Sequence, residues 1–198
     1  NAMIAKLAPL QTPLAKPSGD DWLARFHEPG QTFEQWCGSN PLTVTGRQSI
    51  LCIQPLGSFD KSSDRIVALA AEFLGLYFGL QVPALPPRPL DDIPAKAQRI
   101  NSHTHERQIL TGYILDTMLK PTIPDDAAVL IGFTVLDLWP GSGWNFVFGE
   151  ASLDDAVGVW SLHRFGDPSA GEEAFRLALL RTLKLSSHET GHMFGMFH

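Results

Sequence analysis

The chain has 198 residues and a mass of 21.7 kDa, which predicts one domain at the usual ~100–200 residues per domain. Apolar residues make up 44% of the sequence and charged residues 18%, a composition that excludes an intrinsically disordered chain. Acidic residues (21) outnumber basic ones (15), and the net charge of -6 argues against a nucleic-acid partner.

Residues 1–47 are predicted to be an N-terminal extension that packs on a domain formed by residues 48–198. The two residues ahead of Met3 resemble the scar left when an affinity tag is removed, so we expect a native start at Met3. The two cysteines, Cys37 and Cys52, are too few for a disulfide framework. No apolar run reaches the ~20 residues that cross a bilayer, and no signal-peptide pattern follows Met3. We therefore expect a cytoplasmic protein without a membrane partner.

The first elements of the domain are a strand and a helix. Residues 49–55 (SILCIQP) form a short apolar run that predicts a buried strand. A helix is predicted over residues 63–78, with Asp60 or Ser62 as its N-cap and an apolar stripe along one side. Five prolines between residues 82 and 94 predict a loop with little regular structure.

The second half of the domain contains further strands and ends in a helix. A helix is predicted over residues 106–119, and a long buried strand over residues 127–138. A less regular strand follows at 145–149, another at 156–162, and the last helix covers 172–194. This order of strands and helices predicts an α/β sandwich built on a mixed sheet.

The chemistry is concentrated in the last eleven residues, HETGHMFGMFH, which fit H-E-x-x-H-x-x-G-x-x-H. His188 and His192 lie one turn apart on a helix, so both imidazoles can approach one zinc ion at about 2.0–2.1 Å. Glu189 is rotated by about 100° from His188 and can reach a water on the metal instead. Gly195 can adopt a positive φ and turn the chain, which brings His198 back as a third ligand. Three protein ligands leave one position open, as in catalytic zinc sites.

H-E-x-x-H-x-x-G-x-x-H belongs to the metzincin zinc peptidases, and the sequence resembles the archaemetzincin family in particular. The resemblance covers about residues 49–198 and does not extend to residues 1–47. The segments that carry it are HETGHMFGMFH, WNFVFGEAS (144–152), GVWS (158–161) with Arg164-Phe165, QPLG (54–57) and ERQIL (106–110). It implies a metzincin-like fold: a twisted mixed β-sheet packed with helices, an edge strand that lines the cleft, and an active-site helix, here at the C-terminus.

The resemblance also implies roles for individual residues. It makes His188, His192 and His198 the ligands of one catalytic zinc and Glu189 the general base. It further implies an edge strand that aligns an extended peptide substrate by main-chain hydrogen bonds. The residues of that strand are Asn145, Phe146, Val147, Phe148 and Gly149.

Two features of the family have no counterpart in this sequence. Archaemetzincins carry cysteines after the third histidine that hold a second, structural zinc, and a methionine turn lies beneath the catalytic metal. This sequence ends at His198, and neither Cys37 nor Cys52 matches those cysteines. We therefore expect one zinc in this chain, and we expect the chain to be a truncated form that lacks the C-terminal part of its peptidase domain.

Together, these observations predict a zinc metallopeptidase in which Glu189 activates the zinc-bound water. Aminopeptidase action is one form of this activity, with Glu150 able to meet a substrate's amino terminus; an endopeptidase is the other. The alternative from a different class is a zinc-holding module that captures peptides without cleaving them. Elsewhere, a buried hydrogen-bonding role is favoured for Asp137, and a surface role for His163.

Overall fold

The computed structural model describes residues 6, 9, 15–19, 22–26, 28–152 and 154–197. The chain divides into two compact units, with residues 1–32 in the smaller and Phe33–Phe197 in the larger. The described part of the smaller unit contains a short helix, α1 (Trp22–Arg25). The larger unit begins at Phe33, ahead of the predicted boundary at residue 48. Among the described residues, no helix is both long enough and apolar enough to cross a membrane.

The larger unit is built on a four-stranded mixed sheet with strand order β1-β4-β7-β6. The pairs β1–β4 and β4–β7 are parallel, and β6 runs antiparallel to β7 at the edge. A second sheet has the order β2-β3-β5, with β3 antiparallel to β2 and parallel to β5. The strands are β1 (Ile50–Leu56), β2 (Gln98–Ile100), β3 (Arg107–Leu110), β4 (Ala127–Thr134), β5 (Asp137–Trp139), β6 (Gly149–Ser152) and β7 (Val157–Ser161). The predicted α/β class with a mixed sheet is confirmed.

The helices of the larger unit include α2 (Phe33–Gly38), α3 (Lys61–Phe78), α4 (Thr111–Tyr113), which continues as a π-helix (Ile114–Leu119), and α5 (Glu172–Met193). Helices α3 and α5 pack on one face of the main sheet, and the π-helix packs on the other. Alternate residues of β1 point to opposite faces, as a strand requires. Leu51 and Ile53 pack in one core with α3 and α5. Cys52 packs in the other core with the π-helix.

Local sequence signals account for helix α3. The Asp60 carboxylate accepts hydrogen bonds from the backbone N–H groups of Ser62 (2.7 Å) and Ser63 (2.9 Å), which satisfies two otherwise unpaired donors at the helix start. Gly79 ends the helix with a φ of 68°. Of the two N-caps considered from the sequence, the structure uses Asp60.

The helix predicted over residues 106–119 is wrong in its first part. Residues Arg107–Leu110 form strand β3, and the helix begins only at Thr111. Tertiary contacts override the local helical pattern here, because β3 lies between β2 and β5 and pairs with both. The strand predicted over residues 127–138 is likewise two strands, since β4 ends at Thr134 and β5 joins the second sheet.

The proline-rich segment lies along strand β1. Gln81, Ala84 and Arg88 form parallel bridges to β1, so the segment covers the edge of the main sheet that β6 does not occupy. Proline is compatible with this position because the N–H groups that the segment donates to β1 come from Leu85 (2.8 Å) and Arg88 (2.9 Å). Residues 82–94 form no named strand or helix and make only isolated bridges to β1, which agrees with the predicted loop of little regular structure.

The predicted edge strand Asn145–Gly149 is displaced in the structure. Strand β6 covers Gly149–Ser152, so it begins where the predicted strand ends. The four residues ahead of Gly149 make only one isolated bridge, from Val147 to Leu138. The backbone carbonyl of Asn145 instead accepts hydrogen bonds from side chains of β2 and β3, which takes it out of a strand ladder.

Candidate metal centre and peptide cleft

Two histidines of the terminal motif converge at the end of helix α5. The Nε2 atoms of His188 and His192 are 3.2 Å apart, and the two rings are nearly perpendicular, with an interplanar angle of 81°. A tetrahedral zinc ion with Zn–N bonds of 2.0–2.1 Å requires its two nitrogen ligands to be about 3.3–3.4 Å apart. The pair therefore has the separation that one shared zinc ion would require.

A backbone carbonyl orients His192. The Nδ1 atom of His192 lies 2.6 Å from the carbonyl oxygen of Met196. Since a carbonyl oxygen can only accept, the proton of this hydrogen bond belongs to Nδ1, and the neutral ring has its lone pair on Nε2. This is the usual arrangement for a metal-binding histidine, whose second nitrogen donates to a backbone or carboxylate oxygen. The contact therefore selects the tautomer that zinc requires.

The Met196 carbonyl reaches His192 because the chain turns sharply at Gly195. Gly195 has a φ of 79°, a conformation that glycine adopts without strain. Its N–H donates to the His192 carbonyl (2.8 Å), and the Met196 N–H donates to the Gly191 carbonyl (3.0 Å). These two bonds form a Schellman motif, a common helix C-terminus.

The other motif residues are less completely described. Glu189 follows His188 on α5, and its side chain is half-buried. His198, the predicted third ligand, lies outside the described residues. Within the described ranges, no group of three or more histidine, cysteine, aspartate or glutamate side chains could hold a metal ion. The structure thus brings together two of the three predicted zinc ligands and does not describe the third.

Side chains from other elements hold the predicted substrate segment in place, mainly through hydrogen bonds to its backbone carbonyls. Arg99 donates to the carbonyls of Trp144 (3.1 Å) and Asn145 (2.9 Å). Gln108 also donates to the Asn145 carbonyl, at 2.9 Å. The Asn145 side chain accepts from the Asn101 amide at 3.0 Å. Strands β2 and β3 and the residue that follows β2 therefore fix the path of the chain at Trp144 and Asn145.

A buried ion pair supports these contacts. Arg164 binds Asp137 through two parallel hydrogen bonds of 2.9 and 2.7 Å, and the Asp137 side chain is fully buried. Gln108 donates to the same carboxylate at 2.7 Å, and the guanidinium carbon of Arg164 lies 3.6 Å from the centroid of the Phe146 ring. Asp137 therefore has the buried hydrogen-bonding role that was expected, since it holds Arg164 against the segment that precedes β6.

Strand β6 lies close to helix α5. A Cβ atom added to Gly149 would lie 2.7 Å from Trp160 Cε3 and 3.4 Å from Leu185 Cδ2, so a side chain would be excluded here. Leu185 is three residues before His188 and on the neighbouring turn of α5. The steric limit at Gly149 comes from Trp160 of the neighbouring strand β7, whereas the distance to Leu185 is an ordinary van der Waals contact.

Two further candidates from the sequence have polar partners. The Thr111 hydroxyl donates to the Glu150 carboxylate, which gives that half-buried acid on β6 a fixed orientation. His163 Nε2 lies 2.7 Å from a carboxylate oxygen of Glu106, within hydrogen-bond distance. Sequence reasoning missed Arg99, Asn101 and Gln108, since their partners lie up to 46 positions away and no local spacing marks them.

The sequence was compared with protein families and with known proteins. A scan against models of protein families finds no match. Human Archaemetzincin-2 is 33% identical over 218 aligned residues, which cover 94% of this chain. This match leaves about 6% of the 198 residues unaligned, or roughly 12 residues, so it reaches into residues 1–47, where no resemblance was expected. The chain spans 60% of the length of the human protein.

Solved structures of archaeal relatives show the same fold. The archaemetzincin from Archaeoglobus fulgidus is 30% identical, with a TM-score of 0.56, over 75% of this chain and 79% of that one. The archaemetzincin from Methanopyrus kandleri is 29% identical, with a TM-score of 0.57, over 77% of each chain. The shared fold, together with this level of identity over most of both chains, shows that the chain belongs to the archaemetzincin family.

Proposed function

We propose that the protein is a zinc metallopeptidase, with His188, His192 and His198 as zinc ligands and Glu189 as the general base. The observation that carries the proposal is the convergence of the two Nε2 atoms to 3.2 Å, with the His192 tautomer selected by the Met196 carbonyl. Two imidazoles at this separation suit zinc. Membership of the archaemetzincin family supports the proposal.

The roles of the protein groups follow from their positions. When bound, zinc supplies Lewis-acid polarisation of the substrate carbonyl and a water whose pKa is lowered towards ~7. His188 and His192 present their Nε2 lone pairs to the metal, and the Met196 carbonyl keeps the proton of His192 on Nδ1. The carboxylate of Glu189 accepts the proton of the attacking water and passes it to the leaving amine nitrogen.

We propose that the substrate is an extended peptide that pairs with the outer edge of β6. Among residues 28–152 and 154–197, β7 is the only strand that pairs with β6, so the other edge can add a strand by main-chain hydrogen bonds. The predicted substrate residues Asn145–Phe148 would then lead into this edge strand. A cavity of about 540 Å³ beside Trp144 and Asn145, lined also by Arg99, Ile100 and His103, has room for a substrate side chain.

The finer proposal of aminopeptidase action rests on Glu150. This carboxylate lies on β6, one residue beyond Gly149, and the Thr111 hydroxyl orients it. A fixed carboxylate beside the edge strand is the group that would receive a substrate's terminal ammonium. If Glu150 has this role, Glu150→Gln raises KM for peptides with a free amino terminus and leaves N-acetylated peptides unaffected.

The test is cleavage of a mixed peptide library by zinc-loaded protein, read by mass spectrometry, beside Glu189→Ala and Glu189→Gln. Loss of a general base lowers turnover by about 10²–10⁴-fold, while both variants retain one zinc. Cuts made only by the unmodified protein support a peptidase, and their positions separate aminopeptidase from endopeptidase action. Undiminished cutting by the zinc-loaded variants would contradict the role of Glu189. A zinc-loaded protein that binds peptides without cutting them would establish the capture module instead.

A further inference from the structure

The N-terminal helix α2 touches the turn that follows the histidine helix. The indole Nε1–H of Trp36 donates to the backbone carbonyl of Phe194 at 2.8 Å, across 158 positions of sequence. Phe194 is the residue at which α5 ends. The last carbonyls of a helix have no partner within the helix, and Trp36 supplies one from a distant part of the chain.

Pro41 closes over the same turn. A Cβ atom added to Gly195 would lie 3.1 Å from Pro41 Cβ and 3.7 Å from Trp36 Nε1. The next residue, Leu42, packs against the core that α3 and α5 share. Trp36 and Pro41 therefore lie against the Gly195 turn from outside, while Leu42 anchors their segment to the domain.

The contacts lead from Trp36 to a proposed zinc ligand in three steps. Trp36 holds the Phe194 carbonyl, Phe194 is covalently joined to the Gly195 turn, and the turn places the Met196 carbonyl 2.6 Å from His192 Nδ1. A partner that orients a metal-binding histidine typically contributes 10–100-fold to metal affinity. Because Trp36 fixes the position of the Met196 carbonyl through the turn, it should also affect the affinity for zinc.

We propose that Trp36 is a positioning residue for the zinc site, and that Trp36 and Pro41 hold the Gly195 turn in place. This inference rests on the proposed function, since it concerns the same two histidines. It gives a role to two residues that lie outside the zinc-binding motif.

The position of α2 makes the proposal testable without unfolding the domain. None of its residues is buried, and 70% of the Phe33 surface is exposed. Removal of the Trp36 N–H therefore leaves the core between the sheet, α3 and α5 unchanged. A substitution that only weakened the fold would lower the melting temperature, whereas one that released the turn would change metal binding at an unchanged melting temperature.

The experiment compares Trp36→Phe, which removes the N–H but keeps an aromatic ring, with Glu34→Ala as a control on the same helix. The side chain of Glu34 is exposed. The first readout is the zinc dissociation constant, measured by competition with a chelator. The second is amide hydrogen exchange at Gly195 and Met196 in the metal-free protein, where both N–H groups are bonded within the turn.

We expect Trp36→Phe to weaken zinc binding by about 10–100-fold and to speed amide exchange at Gly195 and Met196, with both quantities changing less than twofold in Glu34→Ala. Zinc affinity and exchange at the unmodified level in Trp36→Phe would overturn the proposal. If the unmodified protein bound no zinc, the proposed function would fail, and the exchange rates would still decide whether Trp36 holds the turn. Faster exchange in Trp36→Phe alone would support that role, and equal exchange would overturn it.

Discussion

The histidine pair and the segment before β6 are built in different ways. His188 and His192 lie four residues apart on one helix, so the helical repeat places them on the same face, and their Nε2 atoms lie 3.2 Å apart. The path of Trp144 and Asn145 depends on side chains from β2 and β3, and behind them on the Asp137–Arg164 ion pair. A local repeat produces the first region, and long-range hydrogen bonds produce the second. The two regions should therefore respond differently to substitution.

The largest effect on the fold is expected from the ion pair. Asp137→Ala leaves Arg164 without its carboxylate and removes an acceptor from Gln108. Breaking a buried pair costs about 3–5 kcal/mol, and because the Arg164 side chain is 21% exposed we expect about 3 kcal/mol. At about 2–4 °C per kcal/mol for a domain of this size, the melting temperature should fall by about 6–12 °C.

The surface pair Glu172–Arg176 provides the control for Asp137→Ala. Its side chains are 70% and 68% exposed, so Glu172→Ala should change the free energy of unfolding by less than about 0.5 kcal/mol. Urea denaturation of both variants measures the difference. An equal loss in the two variants would show that the buried pair contributes no more than a solvated one.

The histidine pair should show the opposite behaviour. His188 is exposed, so His188→Ala should leave the free energy of unfolding of the metal-free protein within about 0.5 kcal/mol. Loss of a ligand should cost more than loss of a group that orients one, so zinc binding should weaken by more than about 100-fold, or about 2.8 kcal/mol. Calorimetric zinc titration beside denaturation of the metal-free protein separates the two quantities. A destabilised metal-free protein would contradict the view that the His188 side chain contributes to zinc binding and not to the stability of the fold.

The sequence predicts the features that depend on neighbouring residues and misses those that depend on long-range contacts. The ends of α3, the extent of α5 and the spacing of the histidines depend on residues within a turn or two, and the structure agrees with the sequence there. Strand β3 was missed because its identity depends on β2 and β5, which flank it in space. The start of β6 was misplaced because side-chain donors of Arg99 and Gln108 occupy the carbonyl of Asn145. None of these partners has a spacing that a single sequence displays.

A smaller effect is expected at the N-cap of α3, another feature visible in the sequence. Hydrogen bonds from the backbone N–H and hydroxyl of Ser63, and from the N–H of Ser62, hold the pKa of Asp60 below its ordinary value. A lowered folded pKa means that this stabilisation is present above the unfolded pKa of about 3.9 and is lost as the pH falls through the folded pKa. Asp60→Ala should therefore lower stability by about 1 kcal/mol at pH 7.

The pH dependence provides the check on this N-cap. The difference between the unmodified protein and Asp60→Ala should shrink below about pH 4, where the carboxylate becomes protonated. Asp60→Asn retains an acceptor for the helix N–H groups and should keep most of the stability at pH 7. Thermal melts between pH 2.5 and 7 measure these differences. A difference that stays constant over this range would mean that the charge of Asp60 plays no part in the cap.

Effects of about the same size, but of opposite sign at two positions, are expected on the buried side of α5. The centre of that side carries Ala178, Thr182, Ser186 and Thr190, all of them buried. The Thr182 hydroxyl donates to the Ala178 carbonyl at 2.9 Å, whereas the Thr190 hydroxyl has no hydrogen-bond partner in the described part of the chain. The same substitution at the two positions should therefore have opposite signs.

Thr182→Val removes a satisfied hydroxyl and should lower the free energy of unfolding by about 1 kcal/mol. Thr190→Val removes an unsatisfied one from the interior and should raise the free energy of unfolding by about as much, because an unpaired buried hydroxyl costs about 1–3 kcal/mol. Urea denaturation of the metal-free proteins measures both changes without involving the zinc site. Equal losses at the two positions would mean that the Thr190 hydroxyl has a hydrogen-bond partner in solution. Opposite signs would show that the Thr190 hydroxyl is unpaired in the interior and that the Thr182 hydroxyl is not.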